Sequence, residues 1–177
     1  SVDFSFHHVS SAGGLYEGQI AVTRATGPAP LRPYAEAKIR QEARVEQLAA
    51  DMATHIYRPS TVYGFLPHAR LGLVSTLLRN ALRRRTTLVY ARSETLRDFV
   101  HNDDVGAFIA DRVLAPGSAP GAHILASGKP TATGEVIEIV HRLVDQPLYV
   151  QFDPNPSNAL DTTFVRSALP VDFFPRP

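Results

Sequence analysis

The chain has 177 residues with 18 Lys and Arg against 17 Asp and Glu, a net charge of +1, and no cysteine. The balanced charge argues against an electrostatic nucleic-acid binder, and the lack of cysteine excludes disulfides, thiolate metal sites and a cysteine nucleophile. Because no apolar run approaches the 18 residues that span a membrane, we expect a soluble, cytoplasmic α/β protein with no membrane or nucleic-acid partner.

The first part of the sequence predicts a strand, a turn and a loop. Residues 1–10 alternate in a way that predicts a buried strand, with His7 and His8 on opposite faces. The small residues at 10–14 predict a turn directly after this strand. Gly and Pro residues within 17–33 then predict a surface loop.

Residues 34–53 form the clearest predicted helix, since helix-forming residues dominate them. Pro33 fits just inside its start, where the backbone N–H has no helical partner. One face carries apolar side chains at helical spacing, which predicts the side that packs on the core. These side chains are Val45, Leu48, Ala49 and Met52.

The rest of the chain alternates between short extended segments and helices, which favours βα units on a largely parallel sheet. The tail from Asp153 onward is rich in proline and is expected to be irregular. The predicted strands cover residues 55–59, 87–90, 97–100 and 123–126, and the predicted helices cover about 71–84, from Asn102 or Asp103 to 114, and 134–144, opened by Thr131 or Thr133.

Tyr34 and Lys38 lie four residues apart in the clearest helix, so their side chains share one face. A tyrosine hydroxyl is a poor base at neutral pH, and a fixed positive charge beside it stabilises the phenolate form. Ser11 follows the first strand, at the carboxyl end where ligands collect in open α/β sheets, and its hydroxyl can bind a substrate oxygen. The spacing of Tyr34 and Lys38 alone also fits an ordinary structural helix face.

Four segments extend this pattern in a fixed order: SSAGGLY at 10–16, YAEAK at 34–38, YRPSTVYG at 57–64 and RDFVHNDDV at 97–105. The series resembles the extended short-chain dehydrogenase/reductases, specifically the NAD-dependent epimerase/dehydratase family, whose members act mostly on nucleotide sugars. The resemblance covers nearly all of residues 4–140.

The resemblance implies a catalytic set of Ser11, Tyr34 and Lys38. Tyr34 matches the acid–base tyrosine that removes a proton from a sugar hydroxyl as hydride leaves for the nicotinamide. Lys38 matches the lysine that assists this tyrosine and hydrogen-bonds the nicotinamide ribose, so both residues also belong to the expected cofactor site. Ser11 matches the serine or threonine of the set, and Ser10 is an alternative that is also expected at the cofactor.

The resemblance also implies binding residues further along the chain. The loop beside the nicotinamide is matched by residues 59–62, so Pro59 and Val62 are expected at the cofactor. Thr61 stands where many members have an asparagine that contacts substrate, and this departure leaves the sugar open. Arg97 matches the arginine that meets the nucleotide diphosphate, a task suited to charge-assisted bidentate bonds. Alternatively, Arg97 and Asp98 pair with neighbours inside the fold.

The implied fold is a partial Rossmann-like parallel sheet with helices on its faces, plus a small C-terminal substrate-side region. Residues 1–63 correspond to the second half of the Rossmann-like core. Residues 64–177 correspond mainly to the substrate-binding portion, with a returning core strand and helix. The family's opening glycine-rich turn, which binds the pyrophosphate of NAD or NADP, has no counterpart here. We therefore expect a single incomplete unit.

Two functional hypotheses follow. The first is an NAD(P)-dependent epimerase or dehydratase of a nucleotide sugar, homodimeric when complete; the chain on its own is expected to be unstable and inactive and to bind NAD(H) weakly. The second is a non-catalytic relative that binds a partner or ligand, against which the intact set of Ser11, Tyr34 and Lys38 argues. The sugar, the choice of NAD or NADP, and the reaction class remain open.

Three other features favour structural roles. Seven histidines, His68 among them, are scattered along the chain, so no metal site is expected. Four arginines within residues 79–85 fit a solvated helix face, with a diphosphate site as the alternative. The Asn-Asp-Asp sequence at 102–104 fits a helix cap better than a cation site.

Overall fold

The structure is a computed structural model that describes residues 4–65, 71–115, 117–156 and 158–176. It confirms the α/β class, with strands and helices in alternation and mostly parallel pairing. The strands are β1 (Ser5–Val9), β2 (Ala53–Pro59), β3 (Thr61–Tyr63), β4 (Thr87–Val89), β5 (Leu96–His101), β6 (Gly121–Leu125), β7 (Pro130–Ala132) and β8 (Val150–Phe152). The α-helices are α1 (Ala12–Leu15), α2 (Pro33–Gln47), α3 (Leu73–Leu82), α4 (Asn102–Leu114) and α5 (Thr133–Leu143).

A parallel sheet in the order β1-β2-β6 forms the centre of the fold. Val9 of β1 lies beside Tyr57 of β2, and Pro59 of β2 lies beside Leu125 of β6. Because side chains alternate between faces, Ile124 joins the apolar cluster of α1 and α2, whereas Tyr57 and Leu125 join the cluster of α4. The carboxyl ends of the three strands share one edge of the sheet, and α1 begins at that edge.

Within the described residues, two further sheets have three and two strands. β5 pairs with β3 in parallel and with β7 in antiparallel orientation, and β4 pairs with β8 in parallel. Helices α3 and α5 pack around the buried side chains of Leu77, Val136 and Val140. The chain after residue 153 is largely irregular, as predicted, apart from a 3₁₀ turn at Arg166–Ala168. Among the described residues, no helix combines the length and apolar character that a membrane crossing requires.

A strand was predicted correctly at the start of the chain, but the prediction that it is buried was wrong. β1 forms, but Phe6 and Val9 are 41% and 49% exposed, because within the described residues β1 is an edge strand that pairs only with β2. The opposite orientation of the two histidines is confirmed. His7 stacks on His55 of β2, with ring centres 4.7 Å apart, whereas His8 lines a shallow pocket of about 490 Å³ against α2.

The predicted helix at 34–53 was too long. Helix α2 ends at Gln47, a 3₁₀ turn follows at Leu48–Ala50, and β2 begins at Ala53. The predicted apolar face is therefore interrupted. Val45 is buried, but Ala49 is exposed because it lies in the 3₁₀ turn. The other predicted helices agree with α3, α4 and α5 to within about two residues at each end.

The expected cap of α4 was also wrong. The Nδ1 atom of His101, rather than Asn102 or Asp103, caps the helix by accepting from the Asp103 N–H at 3.2 Å. Thr133 begins α5, but its hydroxyl donates to the carbonyl of Thr95 at 3.1 Å instead of capping the helix. The sequence analysis missed the three-residue strands β3, β7 and β8, which are too short to show periodicity.

Candidate active site at the carboxyl ends of β1 and β2

Ser11 and Tyr34 meet at the carboxyl end of β1. The segment predicted as a turn contains the short helix α1, and the Ser11 Oγ caps it by accepting from the Gly14 N–H at 3.1 Å. A Cβ on Gly14 would lie 3.0 Å from the Tyr34 Cε1 and 3.5 Å from the Ser11 Oγ. The absence of a side chain at Gly14 thus allows the Tyr34 ring to lie against α1 beside Ser11. The Ser11 hydroxyl keeps its proton for donation to a ligand.

Lys38 lies one helical turn after Tyr34 on α2, as the spacing predicts. Its Nζ is 6.0 Å from the centre of the Tyr34 ring and donates to the Val9 carbonyl at 3.0 Å. The Tyr34 side chain is 57% exposed, so a ligand can reach its hydroxyl. An ammonium group has three donors, and two of them remain after the bond to Val9.

Ser10 and Ser11 differ sharply in environment. Ser10 is 4% exposed, and its backbone N–H donates to the Tyr57 carbonyl at 2.7 Å. Its Oγ is buried and has no hydrogen-bond partner among the described residues. Ser11 is only half-buried, so of the two it is the one whose side chain a ligand can reach.

The segment after β2 lies against α1. Pro59 is buried at the end of β2, and a Cβ on Gly13 would lie 3.9 Å from the backbone of Ser60. Thr61 and Val62 follow in β3, half-buried, and Val62 packs on the apolar cluster around Tyr57. The structure therefore brings residues 59–62 to the edge of the sheet that carries Ser11, where open α/β sheets bind ligands.

Asp98 is a structural carboxylate at this edge. It is 1% exposed and accepts from the N–H groups of Ser127 at 2.6 Å and Gly128 at 2.8 Å, and from the Ser60 hydroxyl at 3.3 Å. Burial raises the pKa of the Asp98 carboxyl, and these donors oppose that effect. These contacts favour the interpretation that Asp98 pairs with neighbours inside the fold.

Arg97 is held by the C-terminal part of the chain. Its guanidinium donates to the Thr162 Oγ1 at 3.3 Å and to the Asn158 carbonyl at 3.1 Å. Burial lowers the pKa of Arg97, whereas the nearby carboxylates of Glu17 and Asp161 raise it. A guanidinium has five N–H donors, so these two bonds leave donors for an anion.

Two partly buried ion pairs that involve the start and the middle of α2 were not predicted from the sequence. Arg32 donates through Nε to Glu17 at 2.7 Å and through a second nitrogen to the other carboxylate oxygen. Arg58 donates to both carboxylate oxygens of Glu42, at 3.1 and 2.6 Å, and to the Tyr16 hydroxyl at 2.8 Å. One feature of the sequence could have indicated the second pair. Glu42 is a charged residue one turn after Lys38, on the helix face expected to pack on the core, where a charge needs a partner.

The remaining sequence features are not part of this site. Among the described residues no cluster of His, Asp and Glu can hold a metal ion, and His68 lies outside them. The arginines within 79–85 are exposed at the end of α3, as a solvated face would be. Asp103 and Asp104 pair with Arg176, at 3.4 and 2.8 Å.

Comparisons with known proteins identify the family of the chain. The sequence model of the NAD dependent epimerase/dehydratase family matches residues 2–122. The UDP-glucose 4-epimerase of Mycolicibacterium smegmatis is 29% identical over 174 residues, which cover 92% of this chain and 55% of that protein.

Solved structures show the same fold at low sequence identity. MoeE5 in complex with UDP-glucuronic acid and NAD has a TM-score of 0.84 at 24% identity, covering 98% of this chain and 60% of that one. The UDP-glucose 4-epimerase of Thermus thermophilus in complex with NAD has a TM-score of 0.77 at 22% identity, covering 90% and 55%. The chain thus spans a little more than half the length of the relatives it matches.

Proposed function

The chain belongs to the NAD dependent epimerase/dehydratase family, and on this premise we propose that it carries the catalytic residues of an NAD-dependent epimerase of a nucleotide sugar. The observation that carries the proposal is the meeting of Ser11, Tyr34 and Lys38 at the carboxyl end of β1. A uridine diphosphate sugar is the favoured substrate class. The similar protein of Mycolicibacterium smegmatis is a UDP-glucose 4-epimerase, and MoeE5 binds UDP-glucuronic acid and UDP-glucose.

The residues present fit a nicotinamide cofactor at this edge. The Ser10 Oγ is buried without a partner among the described residues, and Lys38, bonded to the carbonyl of the preceding residue Val9, keeps two free donors. Pro59 and Val62 supply an apolar wall at the end of β2. We propose that these residues and Tyr34 hold the nicotinamide end of NAD, which supplies a hydride acceptor and donor when bound.

The protein's own contribution is acid–base chemistry and orientation. Tyr34 accepts the proton of a sugar hydroxyl and returns it later, which is the work of a general base and acid. The Lys38 ammonium, 6.0 Å from the centre of the Tyr34 ring, supplies the positive charge of the set, and Ser11 donates a hydrogen bond to the reacting sugar oxygen. Because the ring of Tyr34 lies against α1, its freedom to move away from Ser11 is restricted.

The substrate residues follow from the same placement. We propose that Thr61 contacts the sugar from the segment after β2 and that Arg97 binds the diphosphate with the donors left by its bonds to Thr162 and Asn158. A dimer of the complete protein is part of this proposal, as is the division into a core portion at 1–63 and a mainly substrate-binding portion at 64–177.

The test uses the two lysines of the sequence, Lys38 and Lys129. The full-length natural protein is incubated with NAD and a panel of UDP-sugars, and the epimer is detected by proton NMR. Wild type is expected to convert at least one sugar, Lys38→Met to lose about 10²-fold or more in kcat, and the exposed Lys129→Met to match wild type. Turnover that is unaffected by Lys38→Met, or no turnover of any sugar, would contradict the proposal.

A further inference from the structure

The ion pair of Glu17 and Arg32 connects the end of α1 to the start of α2. Glu17 is 4% exposed, and both of its carboxylate oxygens accept from the Arg32 guanidinium. Arg32 is the residue at the N-cap position of α2, and its carbonyl accepts from the Glu36 N–H at 3.1 Å. A bidentate pair of this kind fixes both the separation and the angle of the two groups.

The neighbouring residue makes a second connection to the same helix. Tyr16 accepts from Arg58, which in turn binds the buried Glu42 in the middle of α2. Consecutive residues at the end of α1 therefore link to α2 at two places, one at its first turn and one near its third. Two attachments restrict rotation as well as translation of one helix against the other.

The connection at the first turn is the one that bears on Tyr34. Arg32 precedes Tyr34 by two residues, and Glu17 follows Ser11 by six residues across the single turn of α1. Two short segments, residues 11–17 and 32–34, thus connect the groups. Ser11 and Tyr34 lie at one end of these segments, and the ion pair of Glu17 and Arg32 joins their other ends. A displacement of about 1 Å between reacting groups can cost about 10²-fold in rate.

We propose that Glu17 is a positioning residue for Tyr34, acting through Arg32; the proposal deepens the proposed function and rests on it for its kinetic part. Glu17 itself touches neither the Tyr34 ring nor the Lys38 ammonium in any described contact. Its role is to hold the first turn of α2 at the distance from α1 that keeps the Tyr34 ring against α1 beside Ser11.

The test compares Glu17→Gln with Asp172→Asn in the full-length natural protein. Asp172 forms a bond of 2.7 Å with Arg112 between the C-terminal segment and α4, so its loss removes a partly buried ion pair away from Tyr34. Glu17→Gln is expected to lower kcat about 10-fold, and the loss of the Glu17 charge near Arg97 acts separately on the KM for the nucleotide sugar. Asp172→Asn is expected to lower Tm while kcat stays unchanged.

A second readout does not depend on turnover. Tyrosines are replaced by 3-fluorotyrosine, and the ¹⁹F resonance of Tyr34 is assigned by its disappearance in Tyr34→Phe. Glu17→Gln is expected to move or broaden this resonance, and Asp172→Asn to leave it in place. Should Glu17→Gln fail to fold, Arg32→Lys, which keeps the charge but loses the bidentate fork, is measured in its place with the same expectation.

The outcomes separate the two proposals. An unmoved Tyr34 resonance in folded Glu17→Gln overturns the positioning role, whatever the activity. An equal fall of kcat in Glu17→Gln and Asp172→Asn also overturns it, because loss of stability alone would then explain the effect. If wild type turns over no nucleotide sugar but the resonance moves, the proposed function fails while the positioning of Tyr34 by Glu17 stands.

Discussion

Replacing His123 by phenylalanine should reduce the pH dependence of stability between about pH 4 and 6.5. The His123 ring stacks on the face of the central sheet that α4 covers, 6.1 Å from His55 and 5.8 Å from Tyr57, and edge-on to Phe108 at 5.9 Å. Burial lowers the pKa of His123 to about 4, and the charge of Arg112 acts in the same direction. The folded protein therefore opposes protonation of this ring.

The sign follows from comparing the folded and unfolded states. A histidine in the unfolded chain has a pKa near 6.5, so between about pH 4 and 6.5 the unfolded state binds more protons. Stability is full above this window and falls as the pH drops through it. The difference between 6.5 and about 4 corresponds to at most about 2 kcal/mol at pH 5, and the partial exposure of the ring reduces the expected loss to about 1 kcal/mol.

Urea unfolding of wild type and His123→Phe at pH 7.5 and pH 5.0 measures this loss. Phenylalanine keeps a stacked ring but cannot take up a proton, so the variant should lose about 1 kcal/mol less than wild type on acidification. His7 and His55, whose pKa values burial also lowers, and Asp98 are common to both proteins and cancel in the comparison. An equal loss in the two proteins would refute the reasoning.

Two glycine pairs give further predictions. Gly14→Ala places a Cβ 3.0 Å from the ring of Tyr34, the proposed catalytic tyrosine, and should lower kcat about 10-fold, whereas Gly13→Ala, with its nearest contact at 3.9 Å, should keep kcat within about twofold; steady-state kinetics decide. Gly64→Ala should cost about 2 kcal/mol or more in urea unfolding, because φ is +123° and the new Cβ would overlap the Asn102 Oδ1. Gly106→Ala, in α4 with nothing within 4 Å, should instead stabilise by about 0.5–1 kcal/mol, and a neutral Gly64→Ala would contradict the geometry.

Local sequence features predicted the parts of the site that depend on spacing within one element. Tyr34 and Lys38 share a helix face because four residues make about one turn, and Ser11 follows a strand whose carboxyl end faces the site. Helices α3, α4 and α5 were likewise predicted to within about two residues at their ends, since each shows a helical periodicity or residues that typically begin or end a helix.

The failures concern features that depend on residues distant in sequence. The burial of β1 depends on which strands flank it, which its own alternation cannot show. The pair of Glu42 and Arg58 joins residues 16 positions apart, and the partners of Arg97 are more than 60 positions away. Such contacts arise from the packing of α1, α2 and the C-terminal segment, so no local pattern indicates them.

The central claim is that Tyr34 is the acid–base residue of a nucleotide-sugar enzyme. The direct measurement is kcat of the full-length natural protein with NAD and its preferred UDP-sugar, for wild type, Tyr34→Phe and the control Tyr149→Phe, whose side chain is exposed before β8. A loss of about 10²- to 10⁴-fold is expected for Tyr34→Phe, and no change is expected for Tyr149→Phe. Full activity of Tyr34→Phe would contradict it and favour a role in binding rather than catalysis.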